Sequence, residues 1–437
     1  MQPIRARVVE SLRGFSDEAL NRVTSSAGVF CDRRWFRMLD SLDTSALVGG
    51  RVEQAYVVAT RARDRDSRVE SRVTGEPSEL LAVCPFMITR SPDVYFFYSL
   101  DKFFFSHWPE EAPRLNPDRE RHFRRLARAV GLYRRLLRAT GVRLDSWVLA
   151  ASALSHRGGV ALAPLRPAER TEVLRLVVNQ LQDLAADENL PLCFFGIDEQ
   201  QHELRAALSR HGCEETFLVF DNLLALNGEL SLDDYLDRFK SDARRLFKRE
   251  IRQTQTGGVT FVRQRRLSDV ADQLAQLYAT TYGRYGDEHF HHPAEFWSAL
   301  ETHLGDSAEA LLAYHGSQLV GFSLLLAKNE LWFYRVGRCY NSPARELPIY
   351  FSLAFYEPVK RAIELGLKNV WLGSGAWQAK HRRGAVGRAL YSYLWWPRRW
   401  DRWTLAPYLS GFSQISRQEM SVAERPTSYM KASSLET

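Results

Sequence analysis

Apolar and polar positions alternate along this chain in a way that predicts the same order of helices and strands twice. In the second half, Phe296, Trp297 and Leu300 mark the apolar side of a helix over Pro293–Leu304. Three strands, a long helix and a fourth strand are predicted to follow, at Ala310–Tyr314, Leu319–Ala327, Leu331–Tyr340, Ile349–Leu365 and Asn369–Leu372. The turn His315–Gln318 joins the first two strands as a hairpin.

A similar but looser order is present in the first half. It begins with a predicted helix over Asp32–Leu42, in which Trp35, Phe36 and Leu39 share one face. Strands are predicted at Gln54–Arg61, Leu80–Thr89, Val94–Leu100, Ser146–Ala151 and Leu192–Ile197, with a helix at Ala168–Ala186 before the last of them. The repeated order predicts two similar α/β domains with mixed sheets, and a single irregular α/β fold is the alternative.

The boundary between the two domains is predicted near Leu226–Glu229. A glycine among polar residues follows the predicted strand Thr216–Leu223 there, and Ser231 is a suitable N-cap for the next helix. The prediction is an N-terminal domain over residues 1–227 and a C-terminal domain over residues 228–413. Residues 414–437 are polar and rich in Ser, so a frayed tail is expected.

The composition excludes several classes of protein. The 437 residues carry 59 Lys and Arg against 52 Asp and Glu, a net charge of +7, and 45% of them are hydrophobic. Such a chain is not disordered, collagen-like or a disulfide-stapled miniprotein. Five cysteines without C-x-x-C spacing favour a reducing compartment. No apolar run reaches the roughly 18 residues that span a bilayer, so we expect a cytoplasmic protein with no integral membrane part.

Much of the positive charge lies in two short segments. Residues 114–143 contain ten arginines, and residues 238–266 contain ten basic residues. In the second segment a predicted helix carries an apolar stripe on one face and basic side chains on the other. Such a row suits the successive phosphates of a nucleic acid, and a solvated helix face is the alternative. The candidate phosphate-binding residues are Arg244, Arg245, Lys248, Arg249 and Arg252.

Tryptophan and arginine alternate in the segment Trp395–Trp403. Such side chains can stack on bases and hold phosphates, and Arg398 and Arg399 are the candidates for that role. They can equally anchor a protein at a membrane interface or pack against the end of a sheet. The sequence leaves these three interpretations open.

The element order of the second half matches the fold of N-acyltransferases that use acyl-coenzyme A, the GNAT fold. In that fold a glycine-rich turn after the central strand holds a pyrophosphate through backbone N–H groups. The corresponding turn here, Asn341–Pro348, has no glycine, two prolines without N–H groups and an acidic Glu346. The usual mode of coenzyme A binding is therefore not expected.

Several short motifs recur in one known group of proteins. They are Ser231–Leu236, Arg244–Glu250, Tyr282–Gly286, Phe296–Trp297, Val320–Phe322, Leu365–Leu367, Gly373–Gly375 and Lys380. Together they resemble Fem-like (FemAB-type) proteins, a group of tandem GNAT-fold proteins of peptidoglycan biosynthesis or recognition. The resemblance covers residues 200–395 well and the first half only loosely. The Arg-rich insertion at 114–143 and the Trp/Arg segment depart from the group.

The resemblance implies two tandem GNAT-like domains and an aminoacyl transferase whose donor is aminoacyl-tRNA, without a cofactor. Members with known activity move an amino acid from tRNA to an amine on a cell-wall precursor or a small-molecule scaffold, forming an amide. The phosphate-binding candidates, including Arg398 and Arg399, would then bind tRNA. One alternative is an N-acyltransferase that uses acetyl-coenzyme A, and another is a non-catalytic nucleic-acid-binding module.

An aminoacyl ester is already activated, so the site has to position an amine, stabilise an oxyanion and move a proton. Lys380 occupies the position of the family's lysine and is the candidate for contacting the oxyanion or the 3′-end phosphate. Asp287 and His289 are candidates for binding or deprotonating the acceptor amine. Substrate-binding candidates are Arg284, Tyr334, Arg335, Arg338 and Ser374. No metal site is expected, because the histidines at 289, 291 and 292 fit no ligand motif.

Overall fold

The computed structural model describes residues 2–62, 78–91, 94–95, 98–105, 117–139, 145–284, 292–420 and 427–431. The chain packs as two compact units, neither of which is one continuous stretch. Unit 1 comprises Met1–Leu218 and Leu390–Gln418, and unit 2 comprises Val219–Ala389 and Glu419–Thr437. The predicted division was a single boundary at residue 227, whereas the packing also assigns a late segment of the chain to unit 1.

Unit 1 is built on a mostly antiparallel sheet with helices. Strands β1 to β6 comprise Ile4–Val9, Val52–Ala62, Ser78–Thr89, Trp147–Ala150, Ala161–Leu162 and Leu192–Asp198. Helices α1 to α7 comprise Asp17–Thr24, Arg33–Leu39, Thr44–Val48, Leu100–Phe105, Pro117–Ala139, Pro167–Asp187 and His202–Arg210. The sheet order is β1-β2-β3-β4-β6, and β5 pairs with β3. All of these neighbours are antiparallel except β4 and β6, which are parallel.

The second half of the chain supplies the remaining elements. Strands β7 to β13 comprise Glu214–Ala225, Val259–Gln264, Ala308–His315, Gln318–Ala327, Leu331–Arg338, Asn369–Trp371 and Val386–Trp395. Helices α8 to α15 comprise Leu232–Asp237, Ser241–Thr256, Ala271–Gly283, Ala294–Leu304, Ile349–Phe351, Glu357–Glu364, Trp377–Arg382 and Arg399–Met420. A π-helical turn, Ser352–Tyr356, joins α12 to α13. The long helix predicted over Ile349–Leu365 is therefore present but wider in its middle.

Unit 2 repeats the sheet arrangement of unit 1. Strands β8, β9, β10 and β11 form an antiparallel meander, and β12 then pairs in parallel with β11. A meander followed by one parallel neighbour is the mixed α/β arrangement that the element order predicts for two tandem GNAT-like domains. The fold class predicted from the sequence is thus confirmed.

Two strands begin in one unit and end in the other. The last part of β7 pairs antiparallel with β12, with Leu223 opposite Trp371, and so lies at the edge of the unit 2 meander. The last part of β13 pairs antiparallel with β6, with Leu390 opposite Asp198, and so extends the sheet of unit 1. Each sheet is therefore completed by a strand from a distant part of the sequence.

Local sequence explains where the helices of unit 2 begin and which faces they bury. The Ser231 hydroxyl accepts a hydrogen bond from the amide of Asp234 at 3.1 Å, which confirms it as the N-cap of α8. Tyr235 of α8, Phe239 of the link between the helices and Phe247 of α9 are all buried. They pack edge to face in series, with centroids 5.5 and 5.1 Å apart. This aromatic cluster seats both helices in unit 2.

Two sequence predictions differ from the structure. The described residues of the predicted strand Val94–Leu100 are not a strand: the amides of Tyr98 and Ser99 donate to the carbonyl of Tyr95, and α4 begins at Leu100. The apolar run there reflects burial, since Tyr98 is 2% exposed, and not strand pairing. In the expected tail, residues 414–420 continue α15, and Met430 pairs with Phe239 in an isolated bridge.

Candidate active site

Lys380 lies on a short helix directly after a tight turn of unit 2. Strands β11 and β12 pair in parallel over only two residues before the chain leaves β12. It turns through Gly373 and Ala376, whose φ angles are +77° and +49°. A left-handed backbone is ordinary for glycine and uncommon for alanine, so the turn is held by its surroundings. Helix α14 begins at Trp377 and carries Lys380.

The amine of Lys380 is held at the backbone of this turn. The residue is 3% exposed, and its Nζ donates to the carbonyl oxygen of Gly373 at 3.0 Å. The same oxygen accepts from the side-chain Nδ2 of Asn222 at 2.7 Å and from the Asn222 amide at 3.3 Å. Asn222 is fully buried on β7. Three donors on one carbonyl fix both the turn and the position of the amine.

Burial changes the protonation of this lysine. It lowers the pKa of the Lys380 ammonium from 10.5 to about 7, and the carboxylate of Asp221 acts in the opposite direction. Asp221 is itself fully buried on β7. An amine with this pKa exists in both forms at neutral pH, so it can accept a proton and can also supply a positive charge. Such a group suits proton transfer at physiological pH.

Arg383 joins the end of α14 to helix α9. Its Nη2 donates to both carboxylate oxygens of Glu250, at 2.9 and 2.7 Å, and its Nε donates to the Tyr356 oxygen at 3.2 Å. Tyr356 also donates its O–H to Glu250, and Tyr235 donates to the Arg383 carbonyl. The Arg383–Glu250 pair is buried, with side-chain exposures of 5% and 10%. It therefore fixes the helix that carries Lys380 against α9.

Neither member of this pair was predicted as a functional residue. The sequence does hold a signal for Glu250, because it continues the buried stripe of α9 formed by Ala243, Phe247 and Thr254. A carboxylate in an apolar stripe requires a buried partner. Nothing in the sequence identifies that partner, since Arg383 follows Glu250 by more than a hundred residues.

A cavity of about 280 Å³ lies beside α14. Its walls include Leu246 and Phe247 of α9, Phe351 of α12, and Tyr429. The Glu250–Arg383 pair also lines it, together with Gln378 and Arg382 of α14. The walls are mostly hydrocarbon, with a few polar groups among them, which is the usual make-up of a pocket for a small ligand.

Helix α9 carries the predicted basic row, and much of that row is neutralised. Three of its cations are paired with aspartates: Arg244 with Asp237 at 2.6 Å, Lys248 with Asp233 at 2.7 Å, and Arg245 with Asp242. Arg249 and Arg252 are exposed, and within the described part of the chain neither forms an ion pair. These two arginines can contact an anion without breaking a pair.

The two arginines of β11 are engaged by neighbouring groups. Arg335 donates from Nε to Nε2 of His292 at 3.0 Å, and its guanidinium lies 3.8 Å from the ring centroid of Tyr334. His292 is 1% exposed and stacks on Tyr278 at 4.6 Å. Tyr334 is 8% exposed, and burial raises the pKa of its phenol above the ordinary range. Contact of Tyr334 or Arg335 with a substrate stays a prediction.

Arg338 closes the turn that follows β11. Its Nη2 donates to the carbonyl of Leu347 at 3.1 Å and also to that of Arg345. The turn contains a short 3₁₀ helix, Pro343–Glu346, capped by the Ser342 hydroxyl. The guanidinium of Arg338 thus holds the backbone of this turn through two of its carbonyl oxygens.

The other predicted residues fall in two places. Arg284 lies 4.0 Å from the ring centroid of Tyr340, and Arg338 approaches the same ring at 5.7 Å. Ser374 is half-buried in the turn next to Gly373, close in sequence to Lys380. The remaining candidates, Asp287 and His289, lie outside the described residues. Among residues that are described, no group of three His, Cys, Asp or Glu side chains could hold a metal ion.

The Trp/Arg segment belongs to unit 1, whereas α9 belongs to unit 2. Arg398 donates from Nε to the Asn189 side chain at 3.2 Å, and Arg402 pairs with Glu214 at 2.6 Å. Arg399 is exposed at the start of α15.

In the part of the chain that the structure describes, no helix combines the length and the hydropathy needed to cross a bilayer.

Fold and site together define a mixed α/β protein of the GNAT-like class, with a buried lysine after the parallel strand of unit 2. The chain belongs to the FemAB-like family, described as peptidoglycan biosynthesis/recognition, whose sequence model matches residues 149–431. The match covers more than half of the chain and confirms the resemblance found in the motifs. A comparison with curated proteins found no match.

Solved structures with a similar arrangement share little sequence with this chain. FemX is 10% identical, with a TM-score of 0.49 over 93% of this chain and 98% of FemX. The C-terminal domain of a putative lysylphosphatidylglycerol synthetase from Agrobacterium fabrum is 12% identical, with a TM-score of 0.40 over 62% and 82%. A GCN5-related N-acetyltransferase from Kribbella flavida is 16% identical, with a TM-score of 0.30 over 58% and 82%.

Proposed function

We propose that this protein is an aminoacyl transferase that moves an amino acid from aminoacyl-tRNA to an amine, forming an amide. The observation that carries the proposal is Lys380, a buried amine with a pKa of about 7 held in a rigid turn of a FemAB-like chain. Buried ionisable groups cost stability, so a protein rarely keeps one without a use. Family membership supports aminoacyl transfer in general, and the donor and acceptor are part of the proposal.

Lys380 supplies the proton chemistry of the proposed reaction. The acceptor amine attacks the ester carbonyl, and a C–N bond forms while the nitrogen acquires positive charge. Neutral Lys380 accepts the excess proton from that nitrogen, and the ammonium it becomes stabilises the oxyanion. When the C–O bond to the ribose breaks, the proton passes to the leaving ribose oxygen. Lys380 ends the cycle neutral, so no covalent intermediate and no cofactor is required.

The donor is proposed to be a charged tRNA because of two features of unit 2. Arg249 and Arg252 of α9 are exposed cations about one helical turn apart, a spacing that suits backbone phosphates. In the turn after β11, Arg338 donates to backbone carbonyl oxygens, and the turn has no glycine-rich loop for a pyrophosphate. Both features favour a polyanionic donor over a free coenzyme.

The acceptor is proposed to be an amine on a cell-wall precursor or a small-molecule scaffold. The cavity beside α14 is lined by the face of the helix that carries Gln378 and Arg382. Its volume of about 280 Å³ accommodates an apolar side chain of amino-acid size, either on the transferred residue or on the acceptor. The Glu250–Arg383 pair keeps this wall rigid.

Incubation with charged tRNA pools tests the proposal directly. The protein is mixed with aminoacylated tRNA and a panel of amines that includes cell-wall precursor peptides, and amide products are detected by mass spectrometry. We expect product from the native protein, and a loss of about 10²-fold or more in rate for Lys380→Met. Lys368→Met is the matched control, because Lys368 is an exposed lysine of the same unit.

Two results would count against this function. One is failure to retain tRNA at low salt together with no deacylation in the presence of any amine. The other is micromolar binding of acetyl-coenzyme A in a calorimetric titration, which would favour the acyl-coenzyme A alternative that the fold itself allows. Unchanged tRNA binding in Lys380→Met with unchanged turnover would assign the lysine a structural role.

A further inference from the structure

Two helices of unit 1 each expose two large apolar side chains. They are Leu132 and Leu136 of α5 and Trp400 and Trp403 of α15, with exposures of 60, 58, 70 and 65%. We call these four residues the apolar ridge. Single exposed apolar residues are ordinary, whereas a contiguous group of large ones marks an interaction surface.

The two halves of the ridge are joined by a direct contact. The O–H of Tyr133, next to Leu132, donates to the Asp401 carboxylate, next to Trp400, at 2.5 Å. Burial of the Tyr133 phenol and its bond to Asp401 raise its pKa above the ordinary range, so it keeps this proton. The indoles of Trp400 and Trp403 meet edge to face, with centroids 5.2 Å apart. On α5, both leucines therefore lie within one helical turn of Tyr133. On α15, both tryptophans lie within two residues of Asp401.

The ridge is not part of the core of unit 1. Both helices bury a different face: Val130 and Arg134 of α5 are 4% and 8% exposed, and α15 buries Leu405, Tyr408 and Phe412. Among the side chains of α5 whose burial the structure describes, those at 125, 128, 129, 132, 135, 136, 138 and 139 are exposed. When a helix packs one face in the core and carries large apolar residues on the other face, the second face is expected to be covered by another partner.

Cations surround the ridge on both helices. The exposed basic residues of the two helices include Arg125, Arg128 and Arg135 of α5 and Arg399 of α15. Of the acids described on or against these helices, Asp401 accepts a hydrogen bond from Tyr133, and Glu214 is paired with Arg402. A partner that covers the ridge therefore meets hydrocarbon in the middle and positive charge around it.

We propose that the apolar ridge docks unit 1 onto an anionic lipid surface. Tryptophan and leucine insert into the boundary between headgroups and acyl chains, and flanking arginines reach the phosphates. Leucine does not stack on bases, and the two indoles already contact each other edge to face. The ridge is therefore poorly suited to single-stranded nucleic acid. A second copy of the same ridge would bring like charges together. Docking would hold unit 1 at a membrane surface.

Sedimentation with vesicles tests this surface. Phosphatidylcholine vesicles with and without phosphatidylglycerol are mixed with the full chain, and bound protein is measured at increasing salt. We expect binding to the anionic vesicles, a blue shift of tryptophan fluorescence, and weakening by salt. Trp400→Ser with Trp403→Ser removes the binding. Arg128→Gln and Arg135→Gln each weaken it about fivefold, because one cation near an anionic surface contributes about that factor.

A matched control comes from unit 2. Leu230 is 87% exposed but lies beside Asp233 and Asp234, so Leu230→Ser should leave vesicle binding unchanged. Three outcomes would overturn the proposal. They are equal retention of the double tryptophan variant, a dimer in sedimentation velocity that this variant dissociates, and retention of single-stranded RNA but not of vesicles through the same residues. None of them depends on whether the protein transfers amino acids.

Discussion

The carboxylate of Glu250 and the guanidinium of Arg383 form a buried pair in which Nη2 lies 2.7 Å from Oε2, and this pair locks the helix of Lys380 onto α9. Arg383 also lies 3.8 Å from the ring centroid of Phe351, within cation–π range. The pair lines the cavity beside α14 as well. Stability, the position of the lysine and the shape of the cavity therefore depend on the same two side chains.

Breaking the pair from one side should destabilise the protein strongly. Arg383→Met leaves the Glu250 carboxylate buried without its partner, so we expect a loss of about 3–5 kcal/mol in the free energy of unfolding. Urea denaturation followed by circular dichroism measures it. Arg245→Met serves as the control, because the Arg245–Asp242 pair is exposed and contributes about 0–1 kcal/mol. Equal losses in the two variants would contradict a buried role for Arg383.

The stability of the protein should depend on pH through Lys380. Its pKa is about 7 when folded and 10.5 when unfolded, so between these values the unfolded chain binds more protons. The contribution of Lys380 to the free energy of unfolding therefore rises with pH from about 7 to 10.5, by at most about 1.4 kcal/mol per pH unit, and is constant below 7.

Subtraction isolates this contribution. The difference in unfolding free energy between the native protein and Lys380→Met should change in favour of the native protein as pH rises from 7 to 9. The tyrosines are shared by both proteins, so their titration cancels. Lys368→Met provides the baseline, with a difference that does not vary over the same range. A flat difference for Lys380→Met would mean that the buried amine keeps an ordinary pKa.

The rate of transfer should follow the neutral form of Lys380. In the proposed reaction the neutral amine takes a proton from the acceptor, so kcat/KM should rise with pH through about 7 and then level off. Lys380→Arg keeps the positive charge but cannot lose it near neutral pH, so it should be slow at every pH. A rate that falls as pH rises through 7 would assign the catalytic role to the ammonium form.

Binding of tRNA should distinguish Arg249 and Arg252, which form no ion pair among the described residues, from the paired cations of α9. Arg249→Glu and Arg252→Glu place negative charge where we propose a phosphate, so each should weaken tRNA retention and reduce its dependence on salt concentration. Arg244→Ala should have a smaller effect, since Arg244 is already paired with Asp237 at 2.6 Å. Filter binding at several salt concentrations makes the comparison, and unchanged tRNA retention in both Glu variants would remove α9 from the interface.

Much of the fold follows from periodicity, and the site does so only in part. Strands β9, β10 and β11 were predicted because their apolar runs are separated by short turns, and the hairpin of β9 and β10 is observed. Lys380 was identified through the family motif, but its burial depends on Asn222 and Asp221 of a strand far away in the sequence. Local patterns carry no information about such pairings, and they also miss Arg383.

The basic row on α9 illustrates the opposite error. Its i, i+4 spacing predicts a continuous cationic surface, but the aspartates that neutralise Arg244 and Lys248 come from α8. They are near in sequence, so the pairing could have been anticipated from the acidic run Asp233–Asp237. The Trp/Arg segment looks like one motif in the sequence, but its residues make different contacts. The exposed indoles of Trp400 and Trp403 contact each other, whereas Arg402 pairs with Glu214.

The exchange of strand ends has a consequence for how this chain reaches its native state. The sheet of unit 1 includes Leu390–Trp395, which the ribosome makes only after nearly all of unit 2 has been synthesised. The first unit therefore cannot finish folding while its own contiguous sequence emerges, unlike domains that fold in order during synthesis. Contacts so distant in sequence also slow folding. Unit 1 can therefore complete its folding only after most of unit 2 has been synthesised. Dividing the chain at any single position would leave at least one of the two units incomplete.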